Sequence, residues 1–203
     1  MQQHGLKLAT ARRMIEDEIK VLENLLPQLD ERLVKVAELI MHCKGKVLVV
    51  GSGTSRYIAE RFAHLAACCK LPVFFLHPCD ALHGSSGAIN KDDVLLAISK
   101  GGETSEVNEI AKIAKTKGAV VLALTGNEKS SLVTLSDYVI VIESEGADPY
   151  GVLACGSSLA HAAVTDAICA VILAETGLNL KEFAEQHPRG AVGLRLRKGG
   201  EAI

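Results

Sequence analysis

Tryptophan is absent from the 203-residue chain, and aromatic residues make up only 3% of it. Flat stacking platforms for bases or sugar rings are therefore not expected. Charge of one sign is also lacking: 22 Lys and Arg offset 24 Asp and Glu, a formal net charge of −2. No basic surface for generic nucleic-acid binding follows, so nucleic acid is not expected as a partner. Apolar runs are short, each broken by Gly, Asp or His within about ten residues, where a membrane span needs about 20. No membrane association is expected. Met1 to Ile19 carries Arg12, Arg13, Glu16, Asp17 and Glu18 and has no signal-peptide core. The cysteines, at 43, 68, 69, 79, 155 and 169, form no CxxC pair and no disulfide framework. They read as reduced thiols, mostly buried, of a cytoplasmic protein.

What is present is globular. Hydrophobic residues reach 48% against 23% charged, enough to bury a core. Residues 8–43 read as helix. Ile15, Ile19, Leu22, Leu26, Leu29, Leu33, Val36 and Ile40 recur at steps of three and four and predict one apolar stripe. Pro27 interrupts it, which predicts a kink or two helices. The stripe faces either the chain's own core or another subunit. From Lys46 onward, short β-branched runs alternate with helical stretches. Val47–Val50, Val73–Leu76, Val94–Ile98, Val120–Leu124 and Tyr138–Ile142 are apolar on successive residues, as strands covered on both faces are. Helices are expected near 55–69, 104–117, 130–136 and 157–176. The pattern predicts an α/β fold: a three-layer α/β/α sandwich with a five-stranded parallel sheet in flavodoxin-like order. The expected division is a helical extension over 1–43, the α/β domain over 44–197 and a frayed tail over 198–203.

Ligands of open parallel sheets bind beyond the carboxyl ends of the strands. Two loops there carry chemistry. Gly51-Ser52-Gly53-Thr54-Ser55 follows the first strand and opens a helix, whose free N–H groups and partial positive charge suit an anion. A dinucleotide fingerprint would want a further glycine near Arg56 and an acidic residue directly after the second strand; Arg56 is not glycine, and His77-Pro78 follows the strand instead, with Asp80 two residues further on. Ser99-Lys100-Gly101-Gly102-Glu103-Thr104-Ser105-Glu106 follows the third strand. Its hydroxyls, lysine and glycine amides make a phosphate-monoester cradle; read blandly, it is a Ser/Thr helix cap with first-turn glutamates. Two such loops at adjacent strand ends favour the phosphate.

These motifs, with Gly156-Ser157-Ser158 opening the late helix, resemble a sugar isomerase (SIS) domain. Further stretches resemble the arabinose-5-phosphate isomerases of the KpsF/GutQ type. They are Cys43 to Val47, Phe74 to Pro78, His83-Gly84 with Gly87, Asp92 to Glu106, and Gln186-His187-Pro188-Arg189-Gly190-Ala191-Val192-Gly193. The HPxGAxG segment is the most specific, since generic SIS domains lack it. The resemblance covers residues 10–197 and is to the SIS-only form, without CBS domains.

The resemblance implies interconversion of ribulose 5-phosphate and arabinose 5-phosphate. It implies phosphate on Ser99, Thr104 and Ser55, and sites shared across a homotetramer or homodimer, with His83 or His187 reaching a neighbour. Its catalytic set maps to Glu106, Glu145 and His187. Three departures stand out. The family has Lys where this chain has Thr54, Gly where it has Arg56, and a second Ser where it has Gly101. Lys100 or Arg56 would have to restore a cation. Ser157 and Ser158 either cap the late helix or line the sugar site.

Moving a carbonyl between adjacent carbons needs a base, a stabilised enediolate and an acid/base for ring opening. A desolvated carboxylate, its pKa raised, suits the base, which is the role expected of Glu106 or Glu145. His187 suits the proton shuttle. No metal or organic cofactor is required. A non-catalytic sugar-phosphate-binding regulator and a hexulose-6-phosphate isomerase are the alternatives. His77 and His64 read as packed or surface residues, and His161 as packing on an Ala-rich helix face.

Overall fold

A computed structural model describes residues 2–177 and 179–197. The expected tail at 198–203 lies outside the described residues. The order is α1 (Gln2–Leu25), α2 (Glu31–Met41), β1 (Val47–Gly51), α3 (Thr54–Cys68), β2 (Val73–Phe75), α4 (Pro78–Leu82), β3 (Val94–Ile98), α5 (Ser105–Thr116), β4 (Val120–Thr125), α6 (Ser131–Leu135), β5 (Tyr138–Val141), α7 (Gly156–Thr176), α8 (Leu180–Gln186) and α9 (Ala191–Arg197).

The five strands form one parallel sheet in the order β2-β1-β3-β4-β5. The chain reverses direction across the sheet between β1 and β3, whose pairing runs from Val47–Val94 to Gly51–Ile98. All residues of β1 and β3 are buried, which is why their sequences run apolar without alternation. Phe74 and Tyr138, on the two edge strands, are exposed.

Helices cover both faces. One core joins α1, α2, α3 and α7 to the sheet through Val21, Val36, Phe62, Leu96, Val164 and Ile168. The other lies under α4, α5 and α6 and includes Val50, Leu95, Ile110, Val121 and Leu132. At the sheet's far end two quoted motifs meet. The Asp93 carboxylate, 1% exposed, accepts the Lys46 and Asn90 backbone N–H groups and the Lys46 ammonium at 2.7 Å. A side chain at Gly45 would collide with Asp92 and Asp93, so glycine there lets the two strand starts close up.

Pro27 does divide the N-terminal helix. It sits in a 3-10 turn at Leu26–Gln28, and Asp30 then caps α2 by accepting the Arg32 N–H. The predicted stripe is only half right. Leu33, Val36 and Ile40 of α2 are buried, but on α1 the buried residues are Val21 and Leu25. Ile15, Ile19 and Leu26 are half or more exposed. The turn at Pro27 changes the phase between the helices, so one stripe in sequence becomes two faces in space.

The reading that no apolar stretch is long enough for a membrane span needs correction. Among the described residues α7 is long and apolar enough to cross a membrane. It packs against α1, α2 and α3 and buries Ser157, His161 and Thr165. Its Asp166 pairs with Arg61 of α3. It is the core helix of this fold, and its Ala content raises the average hydropathy.

Candidate active site at the strand ends

The two loops emerge side by side at the carboxyl ends of β1 and β3, where the sheet's strand order reverses. Gly51 ends β1 against the Ser55 carbonyl, where a side chain would clash. Gly53 takes φ +57, ψ −130, a conformation that favours glycine, and turns the chain into α3. Thr54 and Ser55 open that helix, and Ser52 precedes the turn.

The second loop is tightly braced. The Ser99 hydroxyl accepts the Gly102 N–H at 3.1 Å and lies 3.1 Å from the Thr104 hydroxyl. Gly102 has φ +66, and a side chain there would collide with Ser130. Asn108 donates to the Gly102 carbonyl. Lys100 and Gly101 are exposed. Glu103 is turned away: it accepts the Ser131 N–H and hydroxyl, each at 2.7 Å, and caps α6. Those two bonds hold its carboxyl below the usual range.

Two cavities flank this loop and share no lining residue. The first, about 520 Å³, is lined by Gly51, Ser52, Gly53, Arg56, Tyr57, His77, Pro78, Cys79, Leu82, His83 and Glu106. The second, about 740 Å³, is lined by Lys100, Gly101, Asn127, Ser144, Glu145 and Asp148 among others. The two carboxylates expected to act together therefore open into different cavities.

Glu106 also departs from the expected raised pKa. It is exposed at the start of α5, where its own backbone N–H and then the Ser105 hydroxyl hold it below the ordinary range. Nothing desolvates it enough to act as a tuned base within a single chain. His187 lies in neither cavity. Its Nδ1 bonds the Phe183 carbonyl at 2.8 Å, its ring stacks on Phe183, and Nε2 is 3.6 Å from the Cys68 Sγ at the end of α3. A 15-residue helix is about 22 Å long, which separates that end from the loop that begins it. The HPxGAxG segment has a structural logic here. A side chain at Gly193 would collide with the His187 carbonyl, so glycine lets α9 fold back on it.

Neither late serine offers a free hydroxyl. Ser158 donates to the Cys155 carbonyl. Ser157 donates both its N–H, at 2.9 Å, and its hydroxyl, at 2.6 Å, to Asp148. Asp148 also takes the Lys100 ammonium at 2.5 Å. Burial pushes the Asp148 carboxyl up, but the bonds from Lys100 and Ser157 outweigh it and hold it low. Beneath them His161 is 1% exposed, with Nε2 lacking a partner. Burial, then the Lys100 charge, lowers its pKa to about 4, with Asp148 opposing.

The sequence reading missed Tyr57, His77, Asn127 and Asp148 as lining residues. His77 had a signal, since it follows β2 at a strand end as the named loops follow β1 and β3. The two candidate cations part ways. Arg56 bonds Glu60 at 2.8 Å and lies 5.8 Å from the Tyr57 and Phe75 ring centres. Lys100 lines the second cavity. No group of three His, Cys, Asp or Glu among the described residues is arranged to hold a metal ion.

The SIS domain profile matches residues 40–171. The chain is 34% identical to arabinose 5-phosphate isomerase KdsD of Pseudomonas aeruginosa over 188 residues, 92% of this chain and 58% of that one. It is 35% identical to arabinose 5-phosphate isomerase GutQ of Shigella flexneri over 190 residues, 93% and 59% of the two. The chain thus spans about three fifths of the length of these relatives. A solved structure from E. coli CFT073, in complex with arabinose 5-phosphate, superposes with a TM-score of 0.85 at 28% identity, over 93% of this chain and 100% of that one.

Proposed function

The chain belongs to the SIS domain family, and from that premise we propose that it is a sugar-phosphate aldose-ketose isomerase, interconverting arabinose 5-phosphate and ribulose 5-phosphate. One observation carries the reading. Two glycine-rich loops, each opening a helix of twelve residues or more, stand together where the strand order reverses. A phosphate there meets the N-termini of α3 and α5. The hydroxyls of Ser52 and Ser55 and the amides of Gly53 and Gly101 are the groups offered to it. Anchoring the phosphate fixes the sugar chain and brings its reacting carbons to the side chains around it.

The isomerisation then proceeds by proton transfers. A carboxylate removes the proton from the carbon beside the carbonyl, and the carbonyl oxygen takes the electron pair and becomes an enediolate oxygen. Return of the proton to the neighbouring carbon completes the exchange. Glu106 and Glu145 are the carboxylates at the two cavities. His187 serves a neighbouring subunit, passing a proton between the two oxygens. This assigns a shared site to a homotetramer or homodimer. Leu8, Ile15 and Ile19 of α1, with Leu26 in the turn that follows it, form an exposed apolar row at spacings of seven and four that a second copy of this chain would cover. Six free thiols support a reducing, cytoplasmic setting.

A second reading has its own support. Thr54 leaves the first loop without a lysine, and Glu106 is held low, which suits a sensor that binds the sugar phosphate without turnover. The test is direct. Purified protein is incubated with arabinose 5-phosphate and ribulose 5-phosphate is measured, beside thermal shift with a panel of sugar phosphates. Turnover lost in Glu106→Ala and His187→Ala supports the isomerase. Stabilisation without turnover supports the sensor.

A further inference from the structure

We propose that Lys100, aimed by Asp148, is the cation that stabilises the oxyanion on the reacting sugar, and that the sugar chain therefore runs from the phosphate loops into the cavity at the ends of β3, β4 and β5. The assignment rests on the isomerase reading.

Lys100 is fixed at both ends. Its backbone carbonyl accepts the Gly126 N–H at 2.8 Å and the Thr125 hydroxyl at 3.2 Å, which ties it to the end of β4. Asn127 donates to the next carbonyl, that of Gly101. Its ammonium meets Asp148 at 2.5 Å. Asp148 is itself held, since its side chain is 6% exposed and both of its oxygens receive bonds from Ser157 at the first turn of α7. Three elements thus converge on one amine. A surface lysine needs no such frame, and exposed ion pairs contribute little to stability.

The ammonium is also in the right company. It sits one residue after Ser99 in the phosphate loop, and about half of its side chain is exposed. It shares the 740 Å³ cavity with Glu145 and Ser144. A cation and a carboxylate in one cavity are what enolisation needs. Glu145 takes the C–H proton, that bonding pair becomes the C=C bond, and the carbonyl π pair moves to oxygen, where Lys100 donates a hydrogen bond. Lys100 keeps its protons, and Glu145, whose proton exchanges with solvent in part of the turnovers, gives a proton to the adjacent carbon, so no oxidant or co-reactant enters. Among the described residues that line the other cavity, Arg56 is the one Lys or Arg, beside His77 and His83. Lys100 is thus a catalytic residue and Asp148 a positioning residue.

Four variants of the full chain test this: Lys100→Met, Lys100→Arg, Asp148→Asn and the double Lys100→Met/Asp148→Asn. Two readouts are needed. The first is kcat and KM for arabinose 5-phosphate. The second is calorimetric affinity for a four-carbon aldonohydroxamate phosphate, an enediolate mimic, with inorganic phosphate as control. Lys100→Met is expected to lower kcat at least 100-fold with KM changed less than fivefold. It should weaken the hydroxamate at least 30-fold and leave inorganic phosphate within threefold. Lys100→Arg should recover at least tenfold of the lost kcat. Asp148→Asn should show the same split, and the double variant should be no worse than the worse single one. Lys100→Met within threefold of wild type in both readouts overturns the proposal, as does an equal loss for hydroxamate and inorganic phosphate. Hydroxamate binding that depends on Lys100 in a protein without turnover sinks the isomerase reading and the catalytic role of Lys100 with it, leaving Lys100 as a ligand contact alone. Turnover indifferent to Lys100 overturns this proposal and keeps the isomerase reading.

Discussion

The hydroxyls of Ser99 and Thr104 lie 3.1 Å apart across the neck of the phosphate loop. Ser99 also accepts the Gly102 N–H. The serine at the end of β3 thus shapes the loop from within, and its neighbours present the amides. Ser99→Ala removes that brace and leaves the Gly102 N–H with only the Ser99 carbonyl. It is expected to cost about 1–2 kcal/mol of stability and to raise KM for a sugar phosphate about tenfold. Gly102→Ala is the harsher change, because a methyl at φ +66 collides with Ser130. It should abolish phosphate-dependent thermal stabilisation.

Asp93 ties the start of β3 to the start of β1, far from both cavities. Asp93→Asn leaves the Lys46 ammonium without its buried partner and is expected to destabilise by about 3 kcal/mol. Denaturant titration should show the drop, with kcat of the folded fraction within twofold of wild type.

His161 gives the fold an acid limb. Its pKa of about 4 in the folded chain lies below the ordinary 6.5, so between those values the unfolded chain binds more protons. Stability therefore falls as pH drops from 6.5 toward 4, by about 3 kcal/mol in all. His161→Leu should flatten this part of the melting-temperature profile. A mutant profile as steep as wild type over that range would contradict the assignment.

The exposed row on α1 makes a prediction about assembly. Ile15→Asp with Ile19→Asp puts charge into the proposed contact while leaving Val21 and Leu25, which hold α1 to the core, in place. Light scattering should show the assembly reduced to smaller species, and turnover should fall with it, since His187 of one copy then no longer reaches another's loops.

The fold was legible where burial is symmetrical. β1 and β3 are covered on both faces, so their apolar runs mark the strands directly. The short helices Pro78–Leu82, Leu180–Gln186 and Ala191–Arg197 span two turns or less, too little for a period to show. The α1 face was misread because continuing the stripe across Pro27 assumes a helical phase that the turn resets. In the site, the loops were legible because glycines and hydroxyls at strand ends are a local signal. The Lys100–Asp148 bond was not, since 48 residues separate the pair and only the packing of α7 on the sheet brings them together. Nor could the sequence say that Glu106 stays exposed, with its own backbone N–H and the Ser105 hydroxyl holding its carboxyl low.

Proton NMR of arabinose 5-phosphate incubated with the protein in D2O tests the central claim most directly. The account predicts that ribulose 5-phosphate appears and that the recovered arabinose 5-phosphate carries solvent deuterium at C2, the mark of an enediolate. Saturating binding with neither product nor deuterium at C2 would contradict it.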